Sequence, residues 1–339
     1  SRILKFTQLI AEAALALCKK APEAPEILKE ALELGKSERY VGLYYWWQPS
    51  VMLRICKAAL VNRIEIEYVH HLIRARNLIP EEPSTHLENW PWPVIIYTFG
   101  GFQLLRDGVP VVFSRKVQKR PLQLLKAIIV LGGTNIGEEA LTELLWPDAE
   151  GDAAHNVFTT TLSRLRHLIG HEKAILSSEG KISLDRRYVF VDTWALEAIS
   201  AEVEARRLDR SPEKTAELGR KAITLYKGHF LASDDEYWVL SPRERLRNRF
   251  LRLVANLGGQ QLKAGLFDDA IEFYQRGLEV DDLSEEFYQR LMACYRDAGK
   301  VADALAVYFR CKNTLSLRFG IQPSPKTQQL YKSIKEMGS

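Results

Sequence analysis

The chain has 339 residues, of which 46% are hydrophobic and 27% are charged, and its formal net charge is +4. This composition excludes a mostly disordered chain, and the length predicts two or three domains. No apolar run approaches the roughly 20 residues that a membrane-spanning helix needs, and residues 1–20 lack the apolar core of a signal peptide. We therefore expect a cytoplasmic protein without membrane contact.

The sequence contains no pattern that indicates catalysis. Four widely spaced cysteines form no C-x-x-C pair, so neither structural zinc nor a disulfide framework is expected. Gly35-Lys36-Ser37 resembles the end of a phosphate-binding loop, but Glu30 stands where that loop requires glycine. We expect no enzyme activity, no cofactor and no metal site.

Residues 1–80 are predicted to form several short helices, because apolar residues recur at helical spacing between prolines and Gly35. Residues 81–93 contain three prolines and are predicted to be an extended linker. The chain starts at Ser1, and its first methionine is Met52. Residues 1–80 are therefore expected to be the end of a longer helical-repeat arm.

Residues 94–192 are predicted to form a winged helix-turn-helix domain. It opens with a small antiparallel sheet, whose strands are expected at 94–99, 102–105 and 109–113. Three helices follow, at about 117–131, 137–145 and 152–169. The last elements are a hairpin, the wing, over 175–177 and 182–184, and an extended segment at 188–191.

Residues 193–339 are predicted to be helical and contain an internal repeat. Five positions define its first copy: Leu257, Gly265, Asp269, Ala270 and Tyr274. The same residue types recur 34 positions later: Leu291, Gly299, Asp303, Ala304 and Tyr308. This is the spacing of tetratricopeptide repeats. The alanine is expected to let paired helices approach closely, while the aromatic residue fills the gap to the next helix.

The helix at 152–169 is the candidate DNA-reading element. Its apolar stripe, expected to be buried, consists of Phe158, Leu162, Leu165 and Ile169. The polar side chains opposite and beside that stripe can reach base edges or phosphates: Asn156, Thr159, Thr160, Ser163, Arg164, Arg166 and His167. Arg166 is expected to lie towards the buried side. The helix alone leaves open the alternative of an ordinary solvent-facing surface.

Charge segregation favours DNA binding over that alternative. Residues 108–137 contain no acidic residue, whereas acidic residues cluster between 138 and 152. The candidate contacts to the DNA backbone are Arg115, Lys116, Lys119, Arg120 and, at the wing, Lys181. The acidic stretch is expected to face away from DNA or to meet a protein partner.

A second basic run, residues 243–249, is predicted to be a solvated helix face with Leu246 and Phe250 turned inward. The alternative for this run is a phosphate ligand or the DNA backbone. The sequence does not decide between the two.

Residues 94–339 resemble the DNA-binding and bacterial transcriptional activation domains of the Streptomyces antibiotic regulatory protein type. The first domain carries FGGFQLLRDG, RPLQLLKAII, ALTELLWPDAEGDAAHN and TLSRLRHLIG; the second carries YKGHFL, Trp238, GLFDDAIEFYQRGLEVDD and LSLRFGIQPSPKT. The resemblance implies a response-regulator-type winged helix, tetratricopeptide-like helices and binding to direct repeats of double-stranded DNA. It also implies base contacts from Asn156, Thr159, Thr160, Ser163, Arg164 and Arg166. Residues 1–80 resemble the helical-repeat arm of large ATP-dependent maltose-regulator-like proteins.

We therefore expect a mainly α fold, with an α+β winged helix-turn-helix flanked by α-helical tetratricopeptide-like repeat domains at 1–80 and 193–339. The expected function is sequence-specific DNA-binding transcriptional regulation, as an activator, with helix 152–169 in the major groove and wing 175–184 beside it. Expected partners are double-stranded DNA, RNA polymerase and a second copy in tandem on DNA. Two alternatives remain: a helical-repeat regulator that senses an unknown small-molecule effector, and an interaction scaffold whose winged helix binds protein.

Overall fold

The computed structural model describes residues 1–42, 47–80, 89–113, 119–149, 151–205 and 212–337. They form a mainly helical structure with two small sheets, which confirms the predicted fold class. Two compact units are present: Ser1–Ile96 with Gln103–Val191, and Tyr97–Phe102 with Asp192–Ser339. We call them unit one and unit two. In the described ranges, no helix is long and apolar enough to cross a membrane.

Unit one begins with four helices: α1 (Arg2–Lys19), α2 (Ala24–Ser37), α3 (Pro49–Val61) and α4 (Ile66–Ala75). A proline in the first turn starts both α2 and α3, where its missing N–H is not needed. Most of the predicted linker, residues 81–88, lies outside the described residues. Asn89, which follows it, contacts α3, since Asn89 Nδ2 donates to the Leu60 carbonyl over 2.9 Å. Trp90 and Trp92 are buried beyond it.

The described strands of unit one are β1 (Val94–Tyr97), β2 (Gln103–Arg106), β3 (Val109–Pro110), β4 (Ile136–Gly137), β5 (Ile175–Ser178), β6 (Lys181–Leu184) and β7 (Val189–Val191). The first sheet has the order β3-β2-β1-β7. Strands β1 and β7 run parallel, with Val94 opposite Val189 and Ile96 opposite Val191. This pairing is not predicted from the sequence, which indicates only an extended segment at residues 188–191. Strand β7 is a continuous buried apolar run, as in parallel strands covered on both faces.

Three helices lie between the sheets: α5 (Lys119–Val130), α6 (Glu138–Leu145) and α7 (Gly151–Ile169). Helices α6 and α7 begin within one residue of their predicted starts. Helix α5 packs on both of them through Leu124, Leu125 and Ile128, none of which is exposed. These helices place α7 on the surface of unit one with one face in the core.

The wing is a tight hairpin formed by β5 and β6. Ser178 lies opposite Lys181, so the turn has two residues, Glu179 at φ 50° and Gly180 at φ 70°. Two positive φ angles define the turn type that matches the twist of paired strands. The Glu138 backbone N–H donates to the Gly180 carbonyl over 2.9 Å, which ties the wing tip to the start of α6.

Unit two contains the helices α8 (Asp192–Ala205), α9 (Pro212–Leu225), α10 (Tyr237–Lys263), α11 (Phe267–Val280), α12 (Glu285–Asp297), α13 (Val301–Phe319) and α14 (Pro325–Met337). The predicted repeat is confirmed, since α11 and α13 carry equivalent residues of its two copies. Ala270 and Ala304 are both 0% exposed, and Tyr274 and Tyr308 are buried beside them.

Glycines allow aromatic rings to enter the contacts between these helices. A Cβ atom at Gly258 would lie 2.5 Å from Cε1 of Tyr274, and one at Gly277 would lie 2.7 Å from Cδ1 of Phe287. Such distances are too short for any side chain. The helix spacing in unit two therefore depends on small residues facing large ones.

A buried carboxylate binds the segment Tyr97–Phe102 into unit two. Asp192, at the start of α8, accepts hydrogen bonds from the backbone N–H groups of Thr98 (2.6 Å) and Phe99 (2.9 Å) and from the Thr98 hydroxyl (2.5 Å). The Leu231 N–H donates in turn to the Thr98 carbonyl over 2.8 Å. Burial raises the pKa of Asp192 to about 6, although the hydrogen bonds oppose this shift.

A first prediction compares adjacent glycines of α10. Gly258→Ala forces a methyl group into the Tyr274 ring and should lower the free energy of unfolding by about 1–3 kcal/mol. Gly259→Ala is the matched control, because its Cβ would lie 3.6 Å from the nearest atom, in ordinary contact. It should stabilise the helix by up to about 1 kcal/mol. Urea denaturation measures both, and equal effects would contradict the close packing at Gly258.

A second prediction concerns pH. The folded chain holds the Asp192 proton with a pKa of about 6, against 3.8 for an ordinary carboxyl. Stability relative to Asp192→Asn should therefore fall as the pH rises from about 4 to 6, by about 3 kcal/mol, and stay constant above that range. Denaturation of both proteins across this range measures the difference. A difference that does not change with pH would exclude the raised pKa.

Candidate nucleic-acid interface

Helix α7 has one buried and one exposed face. Phe158, Leu162, Leu165 and Ile169 are buried, as the periodicity predicts. Ala154, Thr161 and Leu168 widen the buried face, and the Thr161 hydroxyl is satisfied by the Val157 carbonyl at 2.7 Å. The core thus fixes which side chains of α7 can meet a ligand.

The seven candidate base-contacting residues are all exposed: Asn156, Thr159, Thr160, Ser163, Arg164, Arg166 and His167. The side chain of Arg166 is exposed, although its position on the helix borders the buried face as expected. Arg166 stands at the edge of the buried arc, where a long side chain extends into solvent. The Thr159 hydroxyl donates to the His155 carbonyl at 2.9 Å, so it offers a ligand mainly its acceptor capacity.

The two arginines of α7 have no ion-pair partner in the part of the chain that the structure describes. Among the residues that the structure describes, Arg164 and Arg166 have no carboxylate in ion-pair distance. At the other end of the helix, His155 Nδ1 lies 2.6 Å from Glu138 Oε1. The helix therefore carries cations towards its C-terminus and is bound to an acidic residue near its N-terminus.

An open groove of about 910 Å³ adjoins the N-terminal end of α7. Helix α6, the turn after it and the wing tip form its walls. Its charged lining residues are Glu138, Glu139, Glu143, His155, Glu179 and Lys181. Lys181, a candidate backbone contact, thus lies among several carboxylates.

The other backbone candidates lie near the start of α5. Lys119 and Arg120 occupy its first turn and are exposed. Arg120 Nη1 contacts Gln123 Oε1 at 3.4 Å, within the same helix. Arg115 and Lys116 lie outside the described residues.

A cation that the sequence does not single out lies at the C-terminal end of α7. The exposed side chain of Arg106, at the end of β2, covers Gly170, the residue that follows α7. A Cβ atom at Gly170 would clash with the guanidinium and lie 2.8 Å from Arg106 Cδ. Only tertiary structure reveals this contact, because the two residues are far apart in the sequence.

Arg187, beyond the wing, has a structural role. Asp185 is buried and accepts from Arg187 Nη2 at 2.6 Å and from the Arg187 backbone N–H at 2.9 Å. Burial alone would raise the pKa of Asp185, but hydrogen bonds and the charge of Arg187 outweigh it, and the net shift is downward. The pair fixes the turn between β6 and β7.

The basic run of α10 is also used internally. Leu246 and Phe250 are buried as predicted, but Arg243 is only partly exposed and donates to the carbonyls of Phe230 and Asp234 at 2.8 and 2.7 Å. Arg247 Nη2 lies 3.2 Å from Asp281 Oδ1. The run is therefore more than a solvated helix face, because its arginines hold loops and helices of unit two together.

Comparison with known proteins agrees with this architecture. Residues 191–335 match the family model of the bacterial transcriptional activator domain. Regulatory protein AfsR of Streptomyces griseus is 26% identical over 236 residues, and that of Streptomyces coelicolor is 24% identical over 235 residues. Each match covers 69% of this chain, which spans 23% of the relatives' length. The resemblance to the Streptomyces antibiotic regulatory protein type is confirmed.

A solved structure shares the fold. Mycobacterium tuberculosis EmbR, in complex with a low affinity phosphopeptide, aligns over 73% of this chain and 66% of that chain, with 21% sequence identity and a TM-score of 0.56. At this identity the similarity concerns the fold alone.

Proposed function

We propose that this chain, whose residues 191–335 match the bacterial transcriptional activator domain family, is a sequence-specific DNA-binding regulator that activates transcription. The observation that carries the proposal is the exposed face of α7. Its polar and cationic side chains are held outward by a buried apolar face and have no acidic partner in the described part of the chain. An ordinary surface helix normally mixes charges of both signs.

Base recognition is assigned to α7 in the major groove. Arginine pairs with the acceptor edge of guanine and asparagine with adenine, so Arg164 and Asn156 are the strongest candidates for specificity. Thr160, Ser163 and His167 lie on the same face, while Thr159 and Arg166 flank it. Ala153, in the first turn, is small enough to let the helix approach the bases closely.

Contacts to the DNA backbone are assigned to Lys119 and Arg120, with Arg115 and Lys116 as further candidates just before α5. Phosphates are favoured at helix N-termini, where backbone N–H groups and the helix dipole attract anions. Lys181 is expected to contribute least, because the carboxylates of its groove repel phosphate.

The acidic groove is assigned to a protein partner. Like-signed phosphates disfavour contact with Glu139 and Glu143, whereas a basic protein surface is attracted to them. RNA polymerase is the partner that fits an activator. The helices of the activator domain offer further surface to the polymerase or to a second copy of the chain.

Selection of bound duplexes from random DNA tests the proposal, followed by two substitutions. Arg164→Ala should weaken the selected duplex by about 1–3 kcal/mol and a scrambled duplex much less, because it removes a base contact. Lys119→Ala should weaken both duplexes equally, since phosphate contacts carry no sequence information. If a correctly folded wild-type chain retains no DNA, the winged helix is a protein-binding module instead.

The arrangement of sites provides a further test. One winged helix buries only about 600–1,000 Å² on DNA, so two copies in tandem on a direct repeat are expected. Inserting about 5 bp between half-sites should abolish cooperative binding, and about 10 bp should restore part of it, because recognition helices must share one face of the duplex. Gel-shift titration measures this. A palindromic site, or indifference to spacing, would exclude the tandem arrangement.

A further inference from the structure

Two tight hairpins of unit one lie at opposite ends of α7. The wing tip lines the groove at the N-terminal end, together with Gly151 and Ala154. The β2–β3 hairpin lies at the C-terminal end, where Arg106 covers Gly170. Its two-residue turn, Asp107 at φ 49° and Gly108 at φ 83°, has the same geometry as the wing turn.

The length of α7 brings both ends near DNA phosphates. A helix of 19 residues is about 28 Å long, whereas the major groove is about 12 Å wide. If α7 lies across the groove, each end therefore passes over a sugar-phosphate backbone. A cation at such an end can bind phosphate, whereas a carboxylate there is repelled by it.

The charges at the two ends differ. The N-terminal end is surrounded by the carboxylates of the groove. The C-terminal end carries Arg166 and His167 in the last turn of α7, with Arg106 beside them. Within the ranges that the structure describes, no carboxylate forms an ion pair with Arg106, and its side chain is exposed. A guanidinium has five N–H donors and suits bidentate phosphate binding.

We propose that Arg106 binds a DNA phosphate and that the β2–β3 hairpin acts as a second backbone-contact element opposite the wing. This inference rests on the proposed function. Gly170 allows the Arg106 guanidinium to lie at the end of α7, because any larger residue at this position would displace the guanidinium. The difference in charge between the two ends of α7 also orients the helix on DNA. Its C-terminal end is bound to the DNA backbone, while its N-terminal end is left for a protein partner.

The test uses the full chain and two duplexes, one selected from random DNA and one with its sequence scrambled. Affinity is measured as a function of salt for the wild type, Arg106→Ala, Arg106→Lys and a matched control, Arg252→Ala. Arg252 is an exposed arginine of α10 without an ion-pair partner among the described residues. Melting temperatures of all four proteins are recorded in parallel.

Arg106→Ala should weaken both duplexes by the same factor and reduce the slope of log affinity against log salt by about 0.9, the value for one phosphate. Arg106→Lys should keep the slope, and Arg252→Ala should match the wild type. An unchanged affinity and slope in Arg106→Ala would overturn the inference. So would a loss of affinity with an unchanged slope and a lower melting temperature, since Arg106 would then only cap α7. A wild type that binds neither duplex would refute the proposed function itself.

Discussion

The structure of unit two depends on one buried carboxylate. Asp192 is 1% exposed, and a carboxylate in such a place must be neutralised or surrounded by donors. The donors come from Thr98 and Phe99, which belong to a loop between two strands rather than to the helices around it. The same loop also makes aromatic contacts in unit two. The Phe99 ring lies 4.8 Å from the Tyr226 ring, which stacks on the Phe250 ring at 4.1 Å. Polar and aromatic contacts thus fix the loop on α8 and α10 together.

On α7 of unit one, the face that packs into the core is separate from the face that we propose binds DNA. The core takes up one face of α7, so substitutions on the other face are expected to leave the fold intact. Charge is separated in the same way, with carboxylates around the wing tip and, towards the other end, cations that have no ion-pair partner among the described residues. Arginines elsewhere show the contrast, because Arg187, Arg243 and Arg247 are all held by partners within the fold. Only cations free of such partners are available for the phosphate contacts that we propose.

Local pattern made most of the architecture predictable. The buried stripe of α7 and the 34-residue repeat follow from residue spacing alone, and Ala270 and Ala304 are buried as that spacing requires. Long-range pairing was not predictable in this way. The apolar run Val189–Val191 does not show which strand it pairs with, and the Arg106–Gly170 contact joins two residues that are far apart in the sequence. The exposure of Arg166 was missed because helical angle alone ignores the reach of a long side chain.

The membership of Tyr97–Phe102 in unit two has a consequence for how such chains are recombined. The family match begins at residue 191, which indicates a domain boundary there in the sequence. The boundary in the structure is different, because Tyr97–Phe102, near the start of the predicted winged helix-turn-helix domain, completes the buried site of Asp192. A chimera joined at residue 191 therefore inherits a foreign loop opposite Asp192. Exchange of whole modules between proteins of this architecture is expected to succeed only where the β1–β2 loop offers the same donors, so we expect the two modules to be inherited together.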